Sequence, residues 1–359
     1  MKNKGCESTE DQIVSDITQY FNTFPKRFIA LIRREKILRI VPILLFVVLS
    51  GSSSFVYFER NLSFADALWW SVVTLTTVGY GDISPATTGG RIVGMTVMVT
   101  GIGFLGVLTA SIASIFIENK LLENKGMKTP HVIDHFIICG WNFRGEEVIA
   151  ELRADPKCGD LPLVVLADIP EKPIDDLQLY FIRGEVNAEN LKKANLDEAH
   201  AVIVLSDDHL DAYARDAKSI LNTLTIKSLN PNVYTCVELM EPGNAEHCEM
   251  AKADEIIVVG ELSTNLLVQA ALDHGITEMI SELVSNRYGK DLYKIRLPSD
   301  MAGQTFFDAM CALKKEHGIL CLGIRHKADE KFIANPESDY KLRADDQLVI
   351  IASERPDMA

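Results

Sequence analysis

The chain has 359 residues, a net charge of −14 and 47% hydrophobic residues. That length exceeds one small domain, and the acidic balance argues against a nucleic-acid partner. Seven cysteines (6, 139, 158, 236, 248, 311 and 321) show no Cys-x-x-Cys spacing, which fits reduced cytosolic thiols better than zinc or disulfides.

Residues 1–36 begin polar and acidic, and the first apolar run starts too late for a cleavable signal peptide. Ile13, Ile17, Phe21 and Phe24 recur near helical spacing. They predict either an amphipathic helix at the inner membrane surface or on a partner, or a weakly patterned disordered tail. Ile40–Phe58 is uncharged for 19 residues and Ile92–Ile117 for 26. Each is long enough to cross a hydrocarbon core of about 30 Å, so spans are expected over 37–58 and 90–117. Lys26, Arg27, Arg33, Arg34, Lys36 and Arg39 precede the first; Lys120, Lys125 and Lys128 follow the second. The positive-inside bias puts both termini in the cytoplasm of a multi-pass protein of the cell membrane. Neither span repeats arginine, so no voltage sensor is expected.

Between the spans, Ser63-Phe64-Ala65-Asp66 reads as a capping box opening a helix that runs to about Thr76. The negative end of that helix would favour a cation. Thr76-Thr77-Val78-Gly79-Tyr80-Gly81-Asp82 follows. Thr-Val-Gly-Tyr-Gly is the motif whose carbonyls replace the hydration shell of potassium, so 63–82 reads as a re-entrant pore helix and filter. Gly79 and Gly81 supply left-handed backbone that a side chain would penalise, and the Thr77 hydroxyl can join the innermost cage. One chain supplies one wall, so a homotetramer around permeant K+ is expected. Trp69 and Trp70 are expected to wedge the filter against Tyr80 and Asp82. Gly101 and Gly103 sit mid-way along the second span, where they serve as a gating hinge or as a close-packing surface. Thr96 and Thr100 are candidates to face a water-filled cavity.

After a linker at 118–130 the pattern changes to alternating strands and helices. Strands are expected at 135–139, 163–167, 179–182, 201–205, 233–237 and 255–259, with helices at 146–152, 188–194 and 211–224 between them. Such alternation predicts a parallel doubly wound sheet, here within a domain at 131–285. The Gly140-Trp141-Asn142-Phe143-Arg144-Gly145 turn follows the first strand, and Asp168 ends the second. Glycines let backbone N–H groups approach a phosphate at a helix N-terminus, and an acid there accepts ribose hydroxyls. The expected ligand is NAD or an adenine nucleotide, with Gly140, Asn142, Arg144, Gly145 and Asp168 as its site. Asn142 departs from the dinucleotide fingerprint at its middle glycine, so a purely structural turn is the other reading. The apolar stretch Thr264–Leu272 is either an interface helix or a core helix.

Filter, two spans and a cytoplasmic Rossmann-like domain in this order resemble the prokaryotic ligand-gated potassium channels with a regulator-of-potassium-conductance (RCK) domain, the archaeal calcium-gated type in particular. The resemblance covers about Ile37 to Glu354. Its carriers are Thr76–Asp82, Gly101-Ile102-Gly103, His135–Trp141, Gly184-Glu185 and Ala201–Val204. Gly318–Arg325, Ile333, Asn335-Pro336 and Asp346–Ile350 match the small C-terminal lobe, placed at 286–359; Asp345-Asp346 stands where the family usually has Gly-Asp. The expected fold is thus a two-helix membrane pore, a cytoplasmic α/β Rossmann-like domain and a small α+β lobe.

The resemblance implies a non-enzymatic channel whose regulatory domains form a ring that pulls on the inner helices through 118–130. Family rings hold eight domains, so an internal start at Met127 is a candidate source of the other four. It also implies calcium, with Asp207, Asp208, Glu238 and Glu241 as candidate ligands at neighbouring strand ends; a solvated acidic rim is the other reading of these acids. Met240 takes the place of the second of two family acids, and a thioether is a poor calcium ligand. The alternatives are a membrane-anchored NAD-dependent oxidoreductase, which leaves the filter idle, and a regulatory subunit of a potassium-uptake transporter, which lacks an attached pore.

Overall fold

A computed structural model of the chain describes residues 35–326 and 331–356. The expected amphipathic stretch Ile13–Phe24 and Cys6 lie outside them. The chain divides into two compact units, Met1–Leu121 and Leu122–Ala359.

The first unit is helical. Helix α1 (Glu35–Phe58) contains Pro42, and Pro42–Phe58 is its apolar stretch. Helix α2 (Phe64–Leu75) opens with the expected capping box: the Ser63 hydroxyl accepts the Asp66 N–H, and the Asp66 carboxylate accepts the Ser63 N–H. Helix α3 (Thr88–Asn124) has 37 residues, and among the described residues it alone is long and apolar enough to span a bilayer by itself. It passes unbroken through Gly101 and Gly103 and takes up the first part of the expected linker, Glu118–Asn124. What stops it is Gly126, at φ 66°. Its N–H donates to the Glu123 carbonyl and the Met127 N–H to that of Leu122, a left-handed glycine cap that closes the last turn.

Close packing of α2 decides where the glycines go. Trp70 stacks on Phe55 of α1 with ring centroids 3.8 Å apart, and the Ser52 hydroxyl donates to that of Ser71 at 3.0 Å. A Cβ on Gly94 would touch the Trp70 ring, and one on Gly101 would come within 3.0 Å of the Leu75 backbone. Gly103 faces open space. The sequence expectation that Trp70 wedges the filter beside Trp69 is corrected: the apolar groove between α1 and α3 claims Trp70.

The second unit carries two sheets. The larger is parallel, in the order β3-β2-β1-β4-β5-β6: β1 (His135–Cys139), β2 (Leu163–Ala167), β3 (Leu179–Arg183), β4 (Ala199–Val204), β5 (Tyr234–Leu239) and β6 (Glu255–Val258). β1 and β2 are buried along their whole length, which is why they read as unbroken apolar runs. Helices α4 (Gly145–Ala154), α5 (Ala188–Lys193), α6 (Ala212–Leu229) and α7 (Ala245–Met250) connect the strands. The order reverses between β1 and β4, and that switch point is where doubly wound sheets bind ligands. Helices α8 (Val259–Leu272) and α9 (Ile276–Val284) follow; no residue of either is buried, so α8 is not the core helix that its composition allowed.

The smaller sheet is antiparallel, ordered β7-β10-β8-β9, from β7 (Asp291–Arg296), β8 (Leu320–Arg325), β9 (Phe332–Ala334) and β10 (Gln347–Ala352). Helix α10 (Phe306–His317) covers it and buries Phe306, Ala309 and Leu313 in a separate core.

Candidate functional site: the filter and the switch-point cavity

The filter follows α2 directly. Its backbone is left-handed at every second residue: Thr77 at φ 63°, Gly79 at 56° and Gly81 at 78°. A strand alternates the direction of its carbonyls, and reversing the hand at alternate residues undoes that alternation, so carbonyls can face one side. For the two glycines the conformation is free of Cβ strain; for β-branched Thr77 it is not. Such an outlier costs of order 1–3 kcal/mol and persists where its surroundings over-determine it. The surroundings here are named bonds. The Thr77 N–H donates to the Thr74 carbonyl and the Val78 N–H to that of Val73, each at 3.0 Å. The Trp69 indole N–H donates to Asp82 at 2.9 Å, and its ring stacks on Tyr80 at 5.9 Å. Thr96 and Thr100 return their hydroxyls to the carbonyls of Ile92 and Thr96.

At the switch point lies a cavity of about 480 Å³, within the usual range for small-molecule sites. Gly140, Trp141 and Asn142 form one wall; Asp168, Glu185, Asp207, Asp208 and Lys218 supply its charge. Gly140 has φ 89°, and a Cβ there would stand 2.7 Å from the Leu205 carbonyl, so only glycine fits. Gly145 leaves room for the Trp141 ring over the start of α4. Asp168 stands half-exposed at the cavity, 3.7 Å from the Arg183 guanidinium.

Asn142 is not left-handed. Its amide is buried and turns into the domain, donating to the Ser206 carbonyl and to Glu238 while its oxygen accepts the Arg144 N–H. Arg144 does not line the cavity: its guanidinium lies 2.6 Å from Glu238 and 3.6 Å from Asp208. The candidate acids are thus separated into pairs. Asp208 also meets Arg215 at 3.1 Å, and Asp207 meets Lys218 at 3.0 Å. Burial would raise the Asp207 carboxyl, but the Lys218 ammonium and the His209 N–H hold it below its ordinary value. The Lys218 ammonium is raised against its own desolvation by Asp207 and Glu185. The backbone N–H of Glu241 donates to buried Asp216, together with the Met240 N–H and the Asn244 amide. Among the described residues no three His, Cys, Asp or Glu side chains gather as a metal site. Sequence reasoning missed Asp216, Arg215 and Lys218; a lone charge on a helix carries no local signal of a partner many residues away.

A turn left-handed at alternate residues between apolar helices, in one chain with a doubly wound domain that has a switch-point cavity, is the make-up of a ligand-regulated membrane channel. Three family models match: Ion channel at residues 43–118, TrkA-N domain at 136–259, and Castor and Pollux, part of voltage-gated ion channel, at 260–359. The chain is 30% identical to the calcium-gated potassium channel TvoK of Thermoplasma volcanium, over 87% of this chain and 90% of that protein. It is 28% identical to the putative potassium channel protein YugO of Bacillus subtilis, over 90% and 98%. The human SLO3 gating ring superposes with a TM-score of 0.50 at 21% identity, covering 61% of this chain and 44% of that one, a likeness of fold. The chain belongs to the family of membrane-embedded, oligomeric potassium channels that carry an RCK regulatory domain.

Proposed function

We propose that four copies of this chain form a potassium-selective, voltage-insensitive pore opened or closed by a ligand on the cytoplasmic domains. The observation that carries this reading is the left-handed alternation of Thr77, Gly79 and Gly81, braced by Trp69 on Asp82 and Tyr80. The cage consists of the carbonyls of Thr77, Val78, Gly79, Tyr80 and Gly81, one wall from each chain. Two spans with both ends on the Lys/Arg-rich cytoplasmic side set the orientation. Residues 37–117 are the pore, 118–130 the connection, 131–285 the Rossmann-like domain and 286–359 the C-terminal lobe. No catalytic role is assigned. Reversal potentials of the reconstituted channel under a potassium/sodium gradient test the pore: strong potassium preference is expected, lost in Gly81→Ala. Equal permeability of the parent to both ions would refute it.

The ligand reading rests on the cavity. Gly140 and Gly145 keep the turn open, and Asp168 stands at the cavity where it can accept ribose hydroxyls, which favours NAD over a 2′-phosphorylated cofactor. The lining is acidic, so it suits the hydroxyl-rich nucleoside part of NAD or an adenine nucleotide, and phosphates must rely on the backbone of the Gly140–Gly145 turn. Calorimetry with NAD and ADP should show binding that Asp168→Ala weakens about tenfold or more, the effect of losing a charged hydrogen bond. No binding of either at millimolar concentration makes the turn purely structural. TvoK is named as calcium-gated; in this chain the corresponding question turns on what already neutralises Asp208 and Glu238.

A further inference from the structure

Asp208 and Glu238 follow or end adjacent parallel strands at the switch-point edge, and such a pair is what a divalent cation would bridge. Calcium requires six to eight oxygen ligands at 2.3–2.6 Å, several of them carboxylate. Glu238 does not have these to give. Its Oε2 accepts from the Asn142 amide at 3.1 Å and from the Ser206 N–H at 2.9 Å, and its Oε1 accepts from Arg144 at 2.6 Å. Arg144 also donates to the Ser206 hydroxyl at 3.2 Å. Asp208 is shared between Arg144 and Arg215. Two guanidinium groups and two carboxylates therefore form a charge-balanced cluster, and Glu238 is almost wholly buried within it. Met240, past the end of β5, offers only a thioether, and no third acid comes to the pair.

The donor set does not fit calcium. We propose that Arg144 is a built-in counter-ion which takes the position of a divalent cation at this edge, making the regulatory domain indifferent to calcium. The guanidinium belongs to the same turn as Gly140 and Asn142, so the turn is tied to the ends of β4 and β5 by a permanent charge. Arg144 is here a specificity-determining residue: it removes the ion from the set of gating ligands and leaves the cavity as the input. This rests on the ligand-gated reading above.

The test uses the full-length channel, purified in detergent and in liposomes. Binding of calcium ions is read by equilibrium dialysis and by the thermal unfolding midpoint, and gating by potassium flux. In the parent, 10 mM calcium should leave midpoint and flux unchanged. Arg144→Gln leaves Glu238 and Asp208 undercompensated, so its midpoint without calcium should fall. Calcium should restore the midpoint and bind at least tenfold more tightly than to the parent. Arg144→Lys keeps the charge and should remain indifferent. A calcium response in the parent that Glu238→Gln abolishes overturns the proposal, as does a response in Arg144→Lys. So does an Arg144→Gln protein with the parent's midpoint and no calcium binding. If Arg144→Gln is recovered only when calcium is present during purification, the proposal is supported. If it is recovered under neither condition, the parent and Arg144→Lys decide by the criteria already given. Absence of flux in every protein would refute the channel reading alone, because ion binding is measured independently of conduction.

Discussion

At Thr77 the backbone adopts a conformation that a β-branched residue avoids, while the two glycines two and four residues on adopt it freely. The glycines are legible in the sequence because their chemistry is local. The strain at Thr77 is not, because a hydroxyl ligand and a bent backbone ask opposite things of one residue. Trp69 and Trp70 make the same point: adjacent and alike, they separate because one faces Asp82 and the other Phe55. In the regulatory unit, buried His135 donates Nε2–H to the Ala194 carbonyl at 2.8 Å, while its Nδ1 has no partner. Burial pushes the imidazole below its ordinary value, the Ala194 bond opposing. The folded state therefore takes up a proton less readily than the unfolded chain. Its contribution to stability is complete above pH about 6.5 and is lost as pH falls towards the depressed value. Urea unfolding of Met127–Ala359 should show a midpoint that drops between pH 7.5 and 5.5, and drops less in His135→Gln, which keeps a donor for Ala194 but cannot protonate.

Among the elements, the strands of the parallel sheet agree with expectation within a residue or two because each carries a short apolar run, buried on both faces in β1 and β2. The Gly140 turn was legible for the same local reason. Arg144 was not: its partner, Glu238, lies at the far end of another strand, and nothing in a turn sequence tells a phosphate ligand from a distant carboxylate. The first part of the expected linker, Glu118–Asn124, is helical because α3 continues until a glycine can cap it. The paired glycines of α3 now separate physically. A Cβ at Gly101 meets the Leu75 backbone, which cannot yield, so Gly101→Ala should cost about 1–3 kcal/mol, as overpacking does. Gly103 faces open space, so Gly103→Ala should gain up to about 1 kcal/mol of helix propensity. Thermal dissociation of the oligomer on gels should fall for the first and hold or rise for the second. Flux through Gly103→Ala then decides whether that position bends: near-parental gating leaves Gly101 as a packing glycine and Gly103 with no role in a hinge.

For the whole molecule, the open question of assembly is numerical. The four pore walls proposed above would bring four regulatory domains, and the ring of eight that the family resemblance implies would need four more. Met127 follows Gly126 directly and is exposed, immediately after the cap of α3. A chain started there keeps every strand of both sheets and loses α1, α2, the filter, α3 and its cap. Expression of Met127→Leu should abolish a short co-purifying species of about 233 residues. A short band that survives the substitution excludes this start, and its absence from the parent means the ring is filled otherwise.

The cap at Gly126 does more than end a helix. Its carbonyl accepts the N–H of Arg183 at the end of β3, the Asn124 carbonyl accepts that of Lys172, and the Arg183 side chain stands beside Asp168 at the cavity. A Cβ on Gly126 would strike the Arg183 nitrogen, so the two backbones meet with no room for a side chain between them. The last turn of α3 is thus fastened to the strand that borders the cavity, with no slack chain between them. A loose tether would absorb small displacements and transmit only large ones. A ligand that displaces β3 should therefore act on the end of α3 through this splice, and potassium flux across a series of cavity ligands should then be graded by how far each displaces Arg183 and not by a threshold of tension.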